Sequence, residues 1–262
     1  MKNLFLRLKG RIITVNKWLG FCFLIAFASV LLIDLWLVKL PEWFTNASVI
    51  GTIYRNLCFA YMTSFIFYFL NVHLQNYKTK VKTFGYLENK LSRLQQLSVD
   101  LIILLKKAAG EPRRSHENLL TKDEVKEYCK KVNPNPTNSI SYTWSNLSFL
   151  NWYELFEFIE TETKDIFRDL STIKESLDTE IITRLANIEK VAESGLNKTR
   201  GKVLGNTTLE LFATEIYEYR NQCEEILVYF HQEYEIYEDE YAREYDPKYN
   251  SEKAKKEQEN EH

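Results

Sequence analysis

Apolar positions follow two different patterns along this chain. Over Trp18–Val38 and again over Ile50–Val72 they run on almost without interruption. A helix needs about 20 apolar residues to cross a hydrocarbon core of roughly 30 Å, so each run predicts a membrane span. The connector 39–49 carries Pro41 and is too short to hold an element of its own. From residue 73 onward, apolar residues instead recur at helical spacing between charged ones, the pattern of helices with one buried face. These patterns predict an all-α protein: a transmembrane hairpin of two helices (18–38 and 50–72), then a bundle of long helices over 73–246.

Within that second part, Leu87, Leu91, Leu94, Leu101 and Leu105 follow alternating four- and three-residue steps, with Ser98 in the remaining place. This heptad-like seam predicts a coiled-coil-type helix that continues from the second span to near Ala109 and stops before Gly110 and Pro112. Thr121-Lys-Asp-Glu124 is a capping box opening a short helix to about Val132, and Asn133-Pro-Asn-Pro-Thr-Asn reads as a loop. Helical spacing resumes near Asn146 and runs to Ala192, as one helix or as two broken near Ser171–Thr172. Gly195–Asn206 reads as a flexible connection. Thr207-Thr-Leu-Glu210 offers a second capping box, opening a last helix through Leu209, Phe212, Ile216, Tyr219, Cys223, Leu227, Phe230, Tyr234, Tyr237 and Tyr241. The tail 247–262 is small and charged, a composition that suits disorder.

Charge adds an orientation. The segment 1–17 carries Lys2, Arg7, Lys9, Arg11 and Lys17 with no acid, and Lys78, Lys80 and Lys82 follow the second span. The connector has Lys39 against Glu42. An excess of cations marks the cytoplasmic side, so both termini are expected in the cytoplasm of a cell with an inner membrane, and the connector outside. Residues 1–17 also place Leu4, Leu8, Ile12 and Val15 at helical spacing between cations, as in a helix lying on an anionic leaflet. A cleaved leader is disfavoured, because the first run is too long, Asp34 interrupts it and no small-residue cleavage site follows. The lipid bilayer is therefore the first expected partner.

Candidate functional positions follow from polar groups where polarity is costly. Asp34 and Arg55 fall at similar depth on the two spans and are expected to form an intramembrane polar pair. Asn56, Thr63 and Ser64 offer hydrogen bonds between helices, although neither span has a GxxxG pair. Glu218, Glu225, Glu233, Glu235 and Glu240 give the last helix an acidic, tyrosine-rich face. That face either receives a basic protein partner or neutralises the basic helix Lys78–Arg114.

Chemistry-bearing motifs are missing. No CxxC or Cys/His spacing accompanies Cys22, Cys58, Cys129 and Cys223, so a disulfide framework and a zinc site are both unsupported. His231 and Glu235 share a helix face without an ExxH motif. The glycine-punctuated segment lacks GxxxxGK[ST], and no nucleophile elbow or dinucleotide fingerprint occurs. The expected activity is thus non-enzymatic, with no cofactor, metal, small-molecule substrate or specific nucleic acid. The cytoplasmic helices would bind a protein partner or self-associate into a homo-oligomer, in an anchor, scaffold or sensor role. The competing expectation is a two-span bacterial effector, of the toxicity or phage-defence type, whose clustered hairpins permeabilise the inner membrane.

Overall fold

A computed structural model describes residues 10–36, 46–111, 120–142, 147–196 and 205–245 of the chain. Several expectations lie outside these residues: most of the basic segment 1–17, the connector as far as Thr45, positions 197–204 of the glycine-punctuated segment, and the tail 247–262. The described chain is mostly helical and divides into two compact units, Met1–Lys82 with Glu240–His262, and Thr83–Asp239.

The first unit contains α1 (Lys17–Leu35) and α2 (Ala47–Tyr68), followed by a π-helical turn at Phe69–His73. α1 is capped by Asn16, whose side-chain oxygen accepts the Trp18 N–H at 2.9 Å. α2 starts three residues earlier than the apolar run suggests. Its N-cap, Asn46, has φ 72°, a left-handed conformation that asparagine tolerates better than most residues. Both helices are long and apolar enough to cross a membrane. From the π turn the chain enters α3 (Leu74–Ala108), which passes from the first unit into the second.

α3 ends where the sequence places its stop. Gly110 takes φ 79°, its N–H bonds to the Lys107 carbonyl, and the Glu111 N–H bonds to the Lys106 carbonyl. This is the Schellman arrangement that glycine permits. The leucine seam is buried throughout, but so are Leu97, Asp100 and Leu104. The inward face is therefore wider than a coiled-coil seam. α3 is a core helix with neighbours on several sides.

The rest of the second unit comprises α4 (Lys122–Lys131), α5 (Trp152–Ser171), α6 (Thr179–Lys190) and most of α7 (Ala213–Tyr245). The Thr121 capping box is complete: Thr121 Oγ1 accepts the Glu124 N–H, and Glu124 Oε2 accepts the Thr121 N–H at 2.7 Å. Thr121→Ala removes one half of this exchange and is expected to lower stability by about 1 kcal/mol. Denaturant unfolding of the purified chain measures it, and an unchanged midpoint would mean that α4 is held by its buried Val125 and Cys129 alone.

Several expectations need correction. The helical spacing from Asn146 does not begin a helix there. Ser148–Phe149 pairs antiparallel with Ile140–Ser141, with Ile140 opposite Phe149, and α5 starts only after Asn151 caps the Glu154 N–H. The aromatic spacing serves both geometries, because Tyr142, Phe149 and Phe158 form one ring cluster with centroids 5.3–6.3 Å apart. Between the two possibilities left open for 146–192, the chain takes the break. Ser171 and Thr172 turn their hydroxyls onto the Phe167 and Asp169 carbonyls, a competition that bends and ends helices.

The last correction concerns α7. Thr207–Glu210 forms no capping box, and the chain enters α7 through a 3₁₀ turn at Glu210–Phe212 with Leu209 at its N-cap. The Leu209 N–H is taken instead by the Cys129 and Val132 carbonyls at the end of α4. Along α7 the buried position is Ile226 rather than Leu227. Gly195 and Leu196 belong to a buried π-helical turn (Val191–Leu196), not to a loop. A Cβ at Gly195 would meet Glu215 Cγ at 2.8 Å, so glycine is what allows α7 to approach there.

Candidate functional site

In the first unit α1 and α2 meet through a narrow line of residues. Tyr61 donates its hydroxyl to the Leu19 carbonyl at 2.9 Å, Phe23 and Phe65 lie 4.6 Å apart between ring centroids, and Ser29 meets Tyr54 at 3.1 Å. Ala26, Val30 and Cys58 are buried between them, with Tyr61 and Met62 packed alongside. Of all α1, Ala26 and Val30 alone are buried, and of α2, Cys58 alone. The remaining circumference is apolar and exposed: Trp18, Leu24 and Leu35 on α1, and Leu57 and Phe67 on α2, are all more than 60% exposed.

The structure brings Asp34 and Arg55 together. Arg55 Nη1 donates to Asp34 Oδ1 at 3.1 Å, a single bond rather than a two-pronged one, and the side chains remain 37% and 40% exposed. Asn56, Thr63 and Ser64 all lie on the exposed surface of α2. Ser64 donates to the Ala60 carbonyl of its own helix at 2.8 Å, so its proton is already engaged. The side chains of Asn56 and Thr63 make no hydrogen bond among the described residues.

Below these helices is a cluster that sequence reading missed. His73 Nε2, in the π-helical turn, lies 2.8 Å from the Arg11 carbonyl and 3.2 Å from Thr14 Oγ1. The Arg11 guanidinium sits 5.9 Å from the centre of the Tyr77 ring and donates to Glu240 Oε1 at 2.6 Å. Glu240 is only 6% exposed, so it leaves the expected acidic face and becomes a buried counter-ion. Arg11 and Glu240 are 229 positions apart, and no local spacing signals such a pairing.

In the second unit, Glu218, Glu225, Glu233 and Glu235 are exposed along α7. Glu225 receives the Asn221 amide at 2.6 Å and lies 3.6 Å from Arg184 of α6. Two cations of α3 turn to α5: Lys90 bonds Asp169 and Arg93 bonds Glu162. The Lys90 bond holds the Asp169 carboxyl below the usual range, and Asp169 in turn raises Lys90. α3 meets α7 through an aromatic contact, Phe84 against Phe230 at 5.1 Å. His231 is exposed beside Glu235, and no group of three or more His, Cys, Asp or Glu side chains converges among the described residues.

The core of this unit carries a few polar groups. Thr163 Oγ1 and Tyr219 OH are 2.8 Å apart in full burial, and Asp100 accepts the Gln96 amide at 2.8 Å. Burial pushes the Cys129 and Cys223 thiols up to about 12. Since the thiolate is the reactive form, neither is expected to react with a water-soluble disulfide reagent at neutral pH until the protein is denatured. Peptide mapping of the labelled sites checks this, and rapid labelling of Cys223 in the native chain would contradict its place in the core.

No protein-family model, no curated protein and no solved structure matches this chain.

Proposed function

We propose that this chain is a two-span integral membrane protein of a bacterial inner membrane. In this reading α1 and α2 form a membrane hairpin with both chain termini in the cytoplasm. The helical bundle after it binds a protein partner or self-associates, as an anchor, scaffold or sensor without catalysis. The observation that carries this reading is the apolar outer surface of α1 and α2. Burying one large apolar side chain is worth about 1.5–3 kcal/mol, and these helices leave many of them uncovered. A bilayer removes that cost, while the intrahelical ladder satisfies the backbone there. The exposed carboxylates of α7 support a partner of basic character for the part outside the membrane.

Carbonate extraction of membranes from cells expressing the full chain, combined with reporter fusions at Pro41 and at His262, tests the reading. The expected result is a protein retained in the pellet, with the reporter at Pro41 active only outside and that at His262 active only inside. Release into the carbonate supernatant overturns it.

The effector reading has one observation of its own. The Asp34–Arg55 and Ser29–Tyr54 contacts place partly exposed polar groups along the seam of the paired apolar helices, where clustering of several copies would give them a shared polar lining. Membrane potential during controlled expression separates the two readings. Depolarisation by wild type but not by the Asp34→Ala, Arg55→Ala double variant favours the effector, and an unchanged potential favours the anchored interaction module.

A further inference from the structure

The side of α2 turned away from α1 has a composition that its setting does not explain. At about 100° per residue, Thr52, Asn56, Ala60 and Thr63 fall within an arc of about 80°. Tyr54, Cys58, Tyr61 and Phe65, which meet α1, lie on the opposite side. All four residues of the arc are exposed. They are small, and the large exposed side chains of Val49 and Phe67 stand at either end of them, so the arc is a shallow trough.

Asn56 sits near the middle of the 22 residues of α2. Three other polar side chains of this helix and its extension turn back onto the backbone. Thr52 bonds the Ser48 carbonyl, Ser64 that of Ala60, and Asn71 that of Phe67. Asn56 has the same choice as Asn71 and does not take it. Its amide, with two donors and an acceptor oxygen, stands without a partner among the described residues. Lipid tails offer it none, and an unsatisfied amide in hydrocarbon costs several kcal/mol.

We infer that this face is the interface for a second copy of the chain, with the two α2 helices packed trough to trough and the Asn56 amides bonded to each other. The inference rests on the membrane reading above and names the occupant. A carboxamide is its own complement, since each group donates to the oxygen of the other. A charged partner would find no counter-charge in this arc, and an apolar one would leave the amide unsatisfied. The second copy answers both, and the small residues at 52, 60 and 63 let the backbones approach closely, as small residues do between membrane helices.

The test uses full-length chain carrying a donor or an acceptor fluorophore at the C-terminus, reconstituted into phosphatidylcholine–phosphatidylglycerol vesicles. Energy transfer is followed as lipid is added. Wild type is expected to associate, and Asn56→Val to weaken association by about three- to thirty-fold. Asn56→Gln is expected to restore most of it, and Leu57→Ala, outside the arc, to leave it unchanged. Helicity by circular dichroism shows that each variant is folded. Co-floating wild type without energy transfer, or Asn56→Val that associates as wild type does, overturns the interface alone. A chain that fails to co-float with the vesicles overturns the membrane reading and the interface together.

Discussion

Phe230→Ala is expected to destabilise the second unit by about 3–5 kcal/mol, the range for removing a fully buried aromatic side chain. Phe230 is completely buried, its ring 5.1 Å from Phe84 of α3 and 5.0 Å from Tyr234 of α7. Both neighbours are themselves buried and held by their helices, so the space left by the ring cannot close without moving one of those helices. Interior packing transmits such a gap to the surrounding atoms. Guanidinium unfolding of the detergent-solubilised chain, followed by far-ultraviolet circular dichroism, reads the loss as a lower midpoint at unchanged slope. Phe84→Ala is expected to cost a similar amount, and the double variant less than the sum, since each single change already breaks the shared contact. A loss below about 1 kcal/mol, smaller than the area term alone, would mean that α3 and α7 are not joined by these rings.

Arg11 and Glu240 give the second large effect, and it depends on whether one partner or both are removed. Glu240→Leu leaves the Arg11 guanidinium, only 22% exposed in its side chain, beside Tyr77 without a counter-ion. Breaking a buried pair in this way costs about 3–5 kcal/mol when burial is complete. The partial exposure of Arg11 brings the expectation to about 2–3 kcal/mol. Arg11→Met strands the more deeply buried carboxylate, with a similar or greater cost. The pair of changes together is expected to recover most of either loss, because a charge pair taken out of water gains little over apolar groups of the same volume. A double-variant cycle on amide exchange at Val15 and Tyr77 measures the coupling. If the single and double variants exchange alike, the ion pair does not hold the segment around Arg11 in place.

How much of this was legible along the chain depends on the reach of each interaction. The leucine rows of α3, the Thr121 capping box and the stop at Gly110 were readable because they depend on residues within four positions of one another. The Asp34–Arg55 contact was also within reach, since the depth of each along an apolar run can be counted. The break at Thr172 was visible only as a choice, because its hydroxyls favour a stop that the apolar spacing does not mark. The strand pair at Ile140 and Ser148 was hidden, since Phe149 satisfies helical spacing and ring packing equally. Thr207 made the opposite error. A local capping pattern yielded to two carbonyls at the end of α4, which no window around Leu209 contains. Glu240 looked like its acidic neighbours on α7, and only the fold supplies the arginine that separates it from them.

The π-helical turn at Phe69–His73 turns the length of this segment into a structural variable. It holds one residue more than an α-helical turn would, and each residue advances the helix by about 100°. His73 meets Arg11, and Tyr77 and Val81 point inward, in the phase that this extra residue creates. Deleting one residue between Phe69 and Val72 would let the turn relax to an ordinary helix and swing Tyr77 and Val81 round to the outside. Most substitutions in the same stretch keep the count and leave that phase alone. Here the number of residues is the constraint and their identity is secondary, so this stretch should accept changes of spelling far more readily than a single insertion or deletion.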